Sequence, residues 1–182
     1  MNAPDDDYDD DGLNGYDHDL DDEAAPEALV WQLLLMINPG DEESALQQFA
    51  DYREALAEAG GETDEPVWLL RDAIDWKAGF YVDAEDTASF IDSLNELAAR
   101  WNLRIDWGSD DPGDEDFLAG TDIPELMALA HDRLREHGYT LWTWNTGTDA
   151  HAGWIALRRD DEAMQALSTL LGIEARPGSD AF

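Results

Sequence analysis

The sequence predicts an α+β fold: an N-terminal three-helix segment, then a small mixed four-stranded sheet in the order β-α-β-α-β-β-α, with helices packed on it. Three observations carry this. Apolar residues recur every three or four positions through most of the chain from Leu29 to Leu171, the spacing of one helix face. Leu103, Ile105 and Trp107 alternate with Arg104 and Asp106 at period two instead, as half-buried strands do, and short apolar stretches at 80–82, 141–144 and 154–157 also read as strands. Gly, Pro, Asn and Asp cluster between these segments, where turns belong. Of the 182 residues 43% are hydrophobic, enough for one full core in the usual domain range of about 100–200 residues. Residues 1–25, rich in Asp and poor in apolar groups, are expected to form a disordered acidic tail, leaving 26–182 as a single domain.

Each element has its own signals. Leu29, Leu33, Met36 and Ile37 share a helix face that Asn38-Pro39-Gly40 stops. Asp41 opens a second helix with Leu46, Phe49, Tyr52 and Leu56 as its apolar positions, ended by Gly60-Gly61. Asp64 is the expected cap of a third, with Pro66 in its first turn, where a missing N–H costs nothing, and Val67, Leu70 and Ile74 on one side. Phe80–Val82 reads as a strand, Phe90 to Trp101 as an apolar-striped helix, and Leu103, Ile105 and Trp107, separated by Arg104 and Asp106, as a second strand. Such a βαβ unit makes its two strands parallel. Asp122 and Glu125 form a capping box before a helix running to Gly138. A hairpin follows around Gly147, with Trp142, Trp144, Trp154 and Ala156 on one side and Leu141, Thr143, Ile155 and Leu157 on the other. Asp160 then opens a last helix closed by Gly172.

Charge bounds the function. Asp and Glu number 44 against 10 Lys and Arg, a formal net charge of -34. Eleven of the acids fall in residues 1–25, which hold no Lys or Arg, so the remaining residues carry the excess as well. Such a surface repels nucleic-acid phosphates and anionic lipid and attracts basic molecules. Neither direct nucleic-acid binding nor membrane association is expected, and a basic protein is the expected partner. Adaptation to high salt would account for the same composition without a partner. With no cysteine, disulfides, thiol catalysis and cysteine-ligated zinc are excluded. The first residues are acidic where a signal peptide is basic and then apolar, which points to the cytoplasm.

Two constellations carry candidate chemistry. Trp142, Trp144 and Trp154, beside a loop bearing Asp149 and His151, form either ordinary core or a partly open aromatic face for a partner. Asp149 and His151 could stabilise the turn or contribute to a metal site, though spacing names no third ligand. If the two βαβ strands are parallel, Asp83 and Asp106 end them on one edge, with Asp86, Asp110 and Asp111 in adjoining loops, where open α/β sheets bind ligands. These carboxylates would then suit Mg²⁺ and a divalent-metal enzyme. The competing reading makes Asp83 or Asp86 a helix cap and leaves the rest solvated. No basic group or glycine-rich loop for a phosphate accompanies them, and no cofactor is expected. Asp7, Asp9, Asp11 and Gly12 open like a calcium-binding loop, but the twelfth position is His18 and the eighth Asn14, so the match fails. His131 and His137 have no companion nucleophile, and the chain lacks a G-x-S-x-G elbow.

The blocks INPGDEESALQQ, FIDSLNELAARW, RIDWG and HGYTLWTWNT, followed by DAHAGWIALRR, resemble an uncharacterised acidic bacterial domain family of unknown function, over roughly residues 29–182. The resemblance implies a stand-alone cytosolic protein and lends no catalytic residue.

Overall fold

The computed structural model of the chain describes residues 26–74 and 77–182. Among the described residues three helices come first: α1 (Pro26–Ile37), α2 (Glu42–Glu58) and α3 (Pro66–Ile74). Asn38-Pro39-Gly40 ends α1 as expected, with Gly40 at φ +79°. Asp41 caps α2, its carboxylate accepting from Ser44 N at 3.1 Å and Ser44 Oγ at 2.6 Å. These two bonds hold the Asp41 carboxyl below its ordinary range. The buried stripe of α2 is Ala45, Gln48, Tyr52 and Leu56, a regular three-four-four spacing, and Leu46 is 55% exposed. Phe49 lies beside the stripe against Trp31, ring centroids 5.4 Å apart. Pro66 is the first residue of α3, so the cap position falls to Glu65, one residue beyond Asp64.

The rest of the chain runs β1 (Gly79–Val82), α4 (Thr87–Ala99), α5 (Glu115–Ala119), α6 (Ile123–Glu136), β2 (Tyr139–Trp144), β3 (His151–Leu157), α7 (Asp161–Leu170) and β4 (Ala175–Pro177). Asp122 caps α6 by accepting from Glu125 N at 2.9 Å. The strands form one sheet in the order β1-β3-β2-β4, and every neighbouring pair is antiparallel.

That topology corrects the expected mixed sheet. Leu103–Trp107 belongs to no strand, no parallel βαβ pair forms, and β4 supplies the fourth strand by pairing Trp144 with Ala175 and Trp142 with Pro177. The alternation itself is real, since Ile105 and Trp107 are buried while Arg104, Asp106 and Gly108 are exposed. Period two reports a half-buried extended chain, and it is silent about what covers it. Here the cover is a helix. Asn102 turns the chain at φ +59°, Leu103 N bonds back to Ala98 O at 3.1 Å, and Trp107 Nε1 donates to Asn95 Oδ1 at 2.9 Å. Trp107 also meets Phe90 of α4 edge to face at 6.1 Å. The segment thus packs along α4 instead of beside β1.

The sheet separates two cores. Opposite Trp142 and Trp154, which face each other across β2 and β3, lie the apolar stripes of α1, α2, α3 and α7. Leu141, Ile155, Phe80 and Val82 point the other way, into a core shared with α4, α6, Ile105 and Trp107. Helices therefore cover both faces of a four-stranded antiparallel sheet, the α+β arrangement expected, and the central strands β2 and β3 bury both their side-chain sets. No described helix is long and apolar enough to cross a membrane.

Candidate functional site

The tryptophans of the hairpin are core. Trp142 and Trp144 are 3% exposed and Trp154 is 1% exposed, so they offer no aromatic face to a partner. Cross-strand pairing sets Trp142 against Trp154, and Trp144 meets Trp68 of α3 edge-on, ring centroids 5.3 Å apart at 86°. Strand alternation sends these rings inward, and the three N-terminal helices and α7 bury them.

The turn between β2 and β3 closes on its own polar groups. Asn145 Oδ1 accepts from Gly147 N at 2.8 Å, Thr146 Oγ1 donates to Ala150 O at 3.0 Å, and Thr148 Oγ1 accepts from Ala150 N at 3.1 Å. Asp149 is exposed at its tip and His151 half-buried at the start of β3. Burial lowers the basicity of the His151 imidazole, and the Asp122 and Asp149 carboxylates partly restore it. The two residues border a cleft of about 320 Å³ with Thr148, Pro124 and Phe182.

The strand-end carboxylates do not converge, because the parallel pair that would have gathered them is missing. Asp86 caps α4, accepting from Ser89 N at 3.1 Å and Ser89 Oγ at 2.8 Å. Asp106 accepts from Gly108 N at 2.9 Å and Asp111 from Gly113 N at 3.2 Å, each stabilising a local turn. Asp83 and Asp110 are exposed. Among the described residues no three His, Asp or Glu side chains are placed to hold a metal ion. The calcium-loop-like opening at Asp7–Gly12 lies outside the described residues.

The structure leaves a long run of carboxylates on the surface. Every Asp and Glu from Asp83 to Glu96 and from Asp106 to Glu125 is exposed, five in the first stretch and eight in the second. Only Arg100 and Arg104 interrupt the whole span. Arg100 turns away to α1, where its Nη2 donates to Asn38 Oδ1 at 2.6 Å. The ion pairs among the described residues lie elsewhere: Arg53–Glu27, Arg71–Asp72, Arg133–Glu136, Arg135–Asp161, Arg176–Glu174 and the His131–Asp132 contact. Bases collect instead at the far end of α6 and the turn after β3, in Arg133, Arg135, Arg158 and Arg159, where Arg158 N bonds Gly138 O at 2.8 Å. Exposed carboxylates thus outnumber bases along α4, the 106–114 loop, α5 and the start of α6, a largely uncompensated acidic surface, and the same holds from Asp41 to Glu65, where Arg53 is the one base among nine acids.

The acidic face also contains a cleft that sequence reasoning does not anticipate. It has a volume of about 580 Å³ and runs between α4, at Asn95 and Ala99, and the segment from Leu103 to Pro112. Its one signal in the sequence is the alternation at 103–107, which by itself points to a ladder.

His131 is the one buried histidine of α6, 6% exposed, with neither ring nitrogen hydrogen-bonded among the described residues. The Asp132 carboxylate stands 3.7 Å from Nδ1, beyond hydrogen-bond range. Burial first, and the Arg135 charge second, lower its basicity, against smaller opposing effects of Asp132 and Asp161. A histidine less basic folded than unfolded leaves stability intact above the unfolded value near 6.5 and removes it as pH falls below that. His131→Leu is therefore expected to gain stability relative to the parent as pH drops from 7.5 to 5.5. Urea midpoints at the two pH values check this, and a constant gap between the proteins would contradict it.

No curated protein and no solved structure matches the chain. A family model does match, over residues 29–178, under the description "Domain of unknown function (DUF6630)", and its span includes all the sequence blocks that carry the resemblance. The chain belongs to that family, of unknown function.

Proposed function

We propose that the protein is a cytoplasmic, non-enzymatic interaction protein whose acidic face engages a basic protein. One observation carries the reading: all thirteen acidic residues from Asp83 to Glu125 are exposed, and none is paired with a base among the described residues. Here Arg133, Arg135, Arg158 and Arg159 sit at the other end of α6, and Arg100 is withdrawn from the face by α1. Unpaired like charges on one surface raise the local potential and favour a cationic partner, chiefly by increasing association rate and selectivity. A nucleic-acid-binding protein, whose basic surface normally meets phosphates, and a basic toxin both have the required chemistry.

Two charge-reversed variants with equal net charge separate a specific face from general acidity. One carries Asp110→Lys, Glu115→Lys and Asp116→Lys. The other carries Glu54→Lys, Glu58→Lys and Glu62→Lys, on and just after α2. All six side chains are exposed. Binding of an arginine-rich peptide, measured by calorimetry at moderate salt, is expected to weaken about tenfold or more in the first variant and much less in the second. Equal losses in both would mean that only net charge matters, and the reading would fall.

A further inference from the structure

We propose that the cleft between α4 and Leu103–Trp107 receives an extended basic segment of the partner, which pairs with that stretch as an added β-strand. The proposal rests on the acidic-face reading and names the place and manner of binding. Leu103–Trp107 has the alternation of a strand without a neighbouring strand: Ile105 and Trp107 are buried, and Arg104 and Asp106 are exposed. From Arg104 through Trp107 no backbone N–H or C=O forms a backbone hydrogen bond with another described residue. Backbone groups that are not paired within the fold must be satisfied by water or by another chain.

The cleft lies along the edge of this stretch. All five residues from Leu103 to Trp107 line it, although consecutive side chains of an extended chain point to opposite faces. A space that touches every residue in succession lies alongside the stretch and leaves room for a chain to approach its unpaired backbone groups. Asn95 and Ala99 of α4, with Ser109, Asp110 and Pro112, complete its lining. The bond from Trp107 Nε1 to Asn95 Oδ1 ties the stretch to α4, so its edge is held in place before anything binds. At about 580 Å³ the space falls within the range of about 300–1,000 Å³ usual for binding clefts.

Charge selects the occupant. Asp106 and Asp110 line the cleft with Arg104 as its only base, and Asp111, Asp114, Glu115 and Asp116 follow directly in the chain. Strand addition obtains affinity from main-chain hydrogen bonds and specificity from alternate side chains. In this setting the alternate side chains that face the carboxylates are arginine or lysine. A second copy of the chain would bring its own acidic residues against Asp106 and Asp110, which disfavours self-pairing.

The test uses the full chain, a short synthetic peptide alternating arginine and valine, and the same peptide N-methylated at alternate residues so that one edge cannot donate hydrogen bonds. Calorimetry gives affinity, and amide hydrogen exchange by NMR locates the site. The peptide is expected to slow exchange at Arg104–Trp107, N-methylation to weaken binding by about tenfold or more, and Asp106→Asn with Asp110→Asn to weaken it several-fold. The carboxamide introduced by Asp106→Asn still offers a carbonyl oxygen to Gly108 N, so the turn survives the substitution. Binding with no protection at 104–107, or equal affinity for both peptides, overturns strand addition while the acidic-face reading stands. Absence of any binding to the unmodified protein overturns both. Protection at 104–107 that grows with protein concentration in the absence of peptide would identify a second copy as the occupant and overturn the basic partner.

Discussion

Gly153→Ala is expected to lower stability by about 3 kcal/mol, or about 6–12 °C in Tm for a chain of this size. Gly153 lies in β3, which is hydrogen-bonded on both sides, facing Phe80 in β1 and Thr143 in β2. A Cβ placed there would overlap the carbonyl oxygen of Trp142 and stand 3.0 Å from Cε1 of Phe80. Neither neighbour can give way cheaply. The carbonyl is part of the central ladder, and the Phe80 ring is packed edge to face on Phe90, centroids 5.4 Å apart, in the core beneath α4. The backbone of Gly153 is not in the left-handed region, so the cost is steric and not conformational. Gly113→Ala is the control, because its nearest neighbour to an added Cβ is a flexible Asp111 oxygen at 3.5 Å. Urea unfolding should leave that variant within about 0.5 kcal/mol of the parent. A Gly153→Ala protein as stable as the control would mean that β1, β3 and β2 do not approach one another as closely as the structure has them.

How much of this is legible in the sequence depends on whether the signal is local. Asp41, Asp86 and Asp122 can be read as caps because a cap is defined by a carboxylate and an N–H three residues on. The faces of the hairpin are legible because side-chain period is a property of the strand alone: Trp142, Trp144 and Trp154 fall in one core, Leu141 and Ile155 in the other. Pairing is not local. Leu103–Trp107 and Ala175–Pro177 show this from opposite directions, the first having a strand's pattern with no ladder and the second a ladder with too few residues, and a proline, to show a pattern. On α2, Leu46 is apolar enough to read as core, while the position that is buried belongs to Gln48, whose partner Asn38 lies ten residues back. The acidic face is half legible. Composition shows the acids, but only the fold shows that Arg100 faces α1 and that Arg133, Arg135, Arg158 and Arg159 gather elsewhere. The cleft along 103–112 cannot be foreseen from a pattern that predicts a partner strand.

Asn38→Ala is expected to cost about 3 kcal/mol, more than any exposed acidic substitution. Asn38, 1% exposed, follows the last turn of α1 and joins three elements. Its Nδ2 donates to Leu34 O and to Gln48 Oε1, each at 2.8 Å, and its Oδ1 accepts from Arg100 Nη2 at 2.6 Å. Arg100 Nη1 also donates to Ile37 O at 3.3 Å, so the guanidinium covers the carboxyl end of α1, where a cation is favoured by the helix dipole. Burial lowers the basicity of Arg100 and the nearby Asp41 carboxylate opposes that effect. Removing the Asn38 amide leaves Gln48, 2% exposed and already without a partner on Nε2, with neither end bonded. It also deprives a half-buried guanidinium of its shortest acceptor. Leaving a buried polar group unpaired costs about 1–3 kcal/mol, and a charged one more. Asn38→Ala combined with Gln48→Leu should recover part of the loss in urea unfolding, since no orphaned amide then remains. An Asn38→Ala protein of parental stability would show that water replaces the side chain freely and that the three elements are not tied at this point. The network also bears on the exposed surface. While Arg100 is held against α1, Arg104 is the only base left on the acidic span, so freeing Arg100 should weaken arginine-peptide binding along with stability.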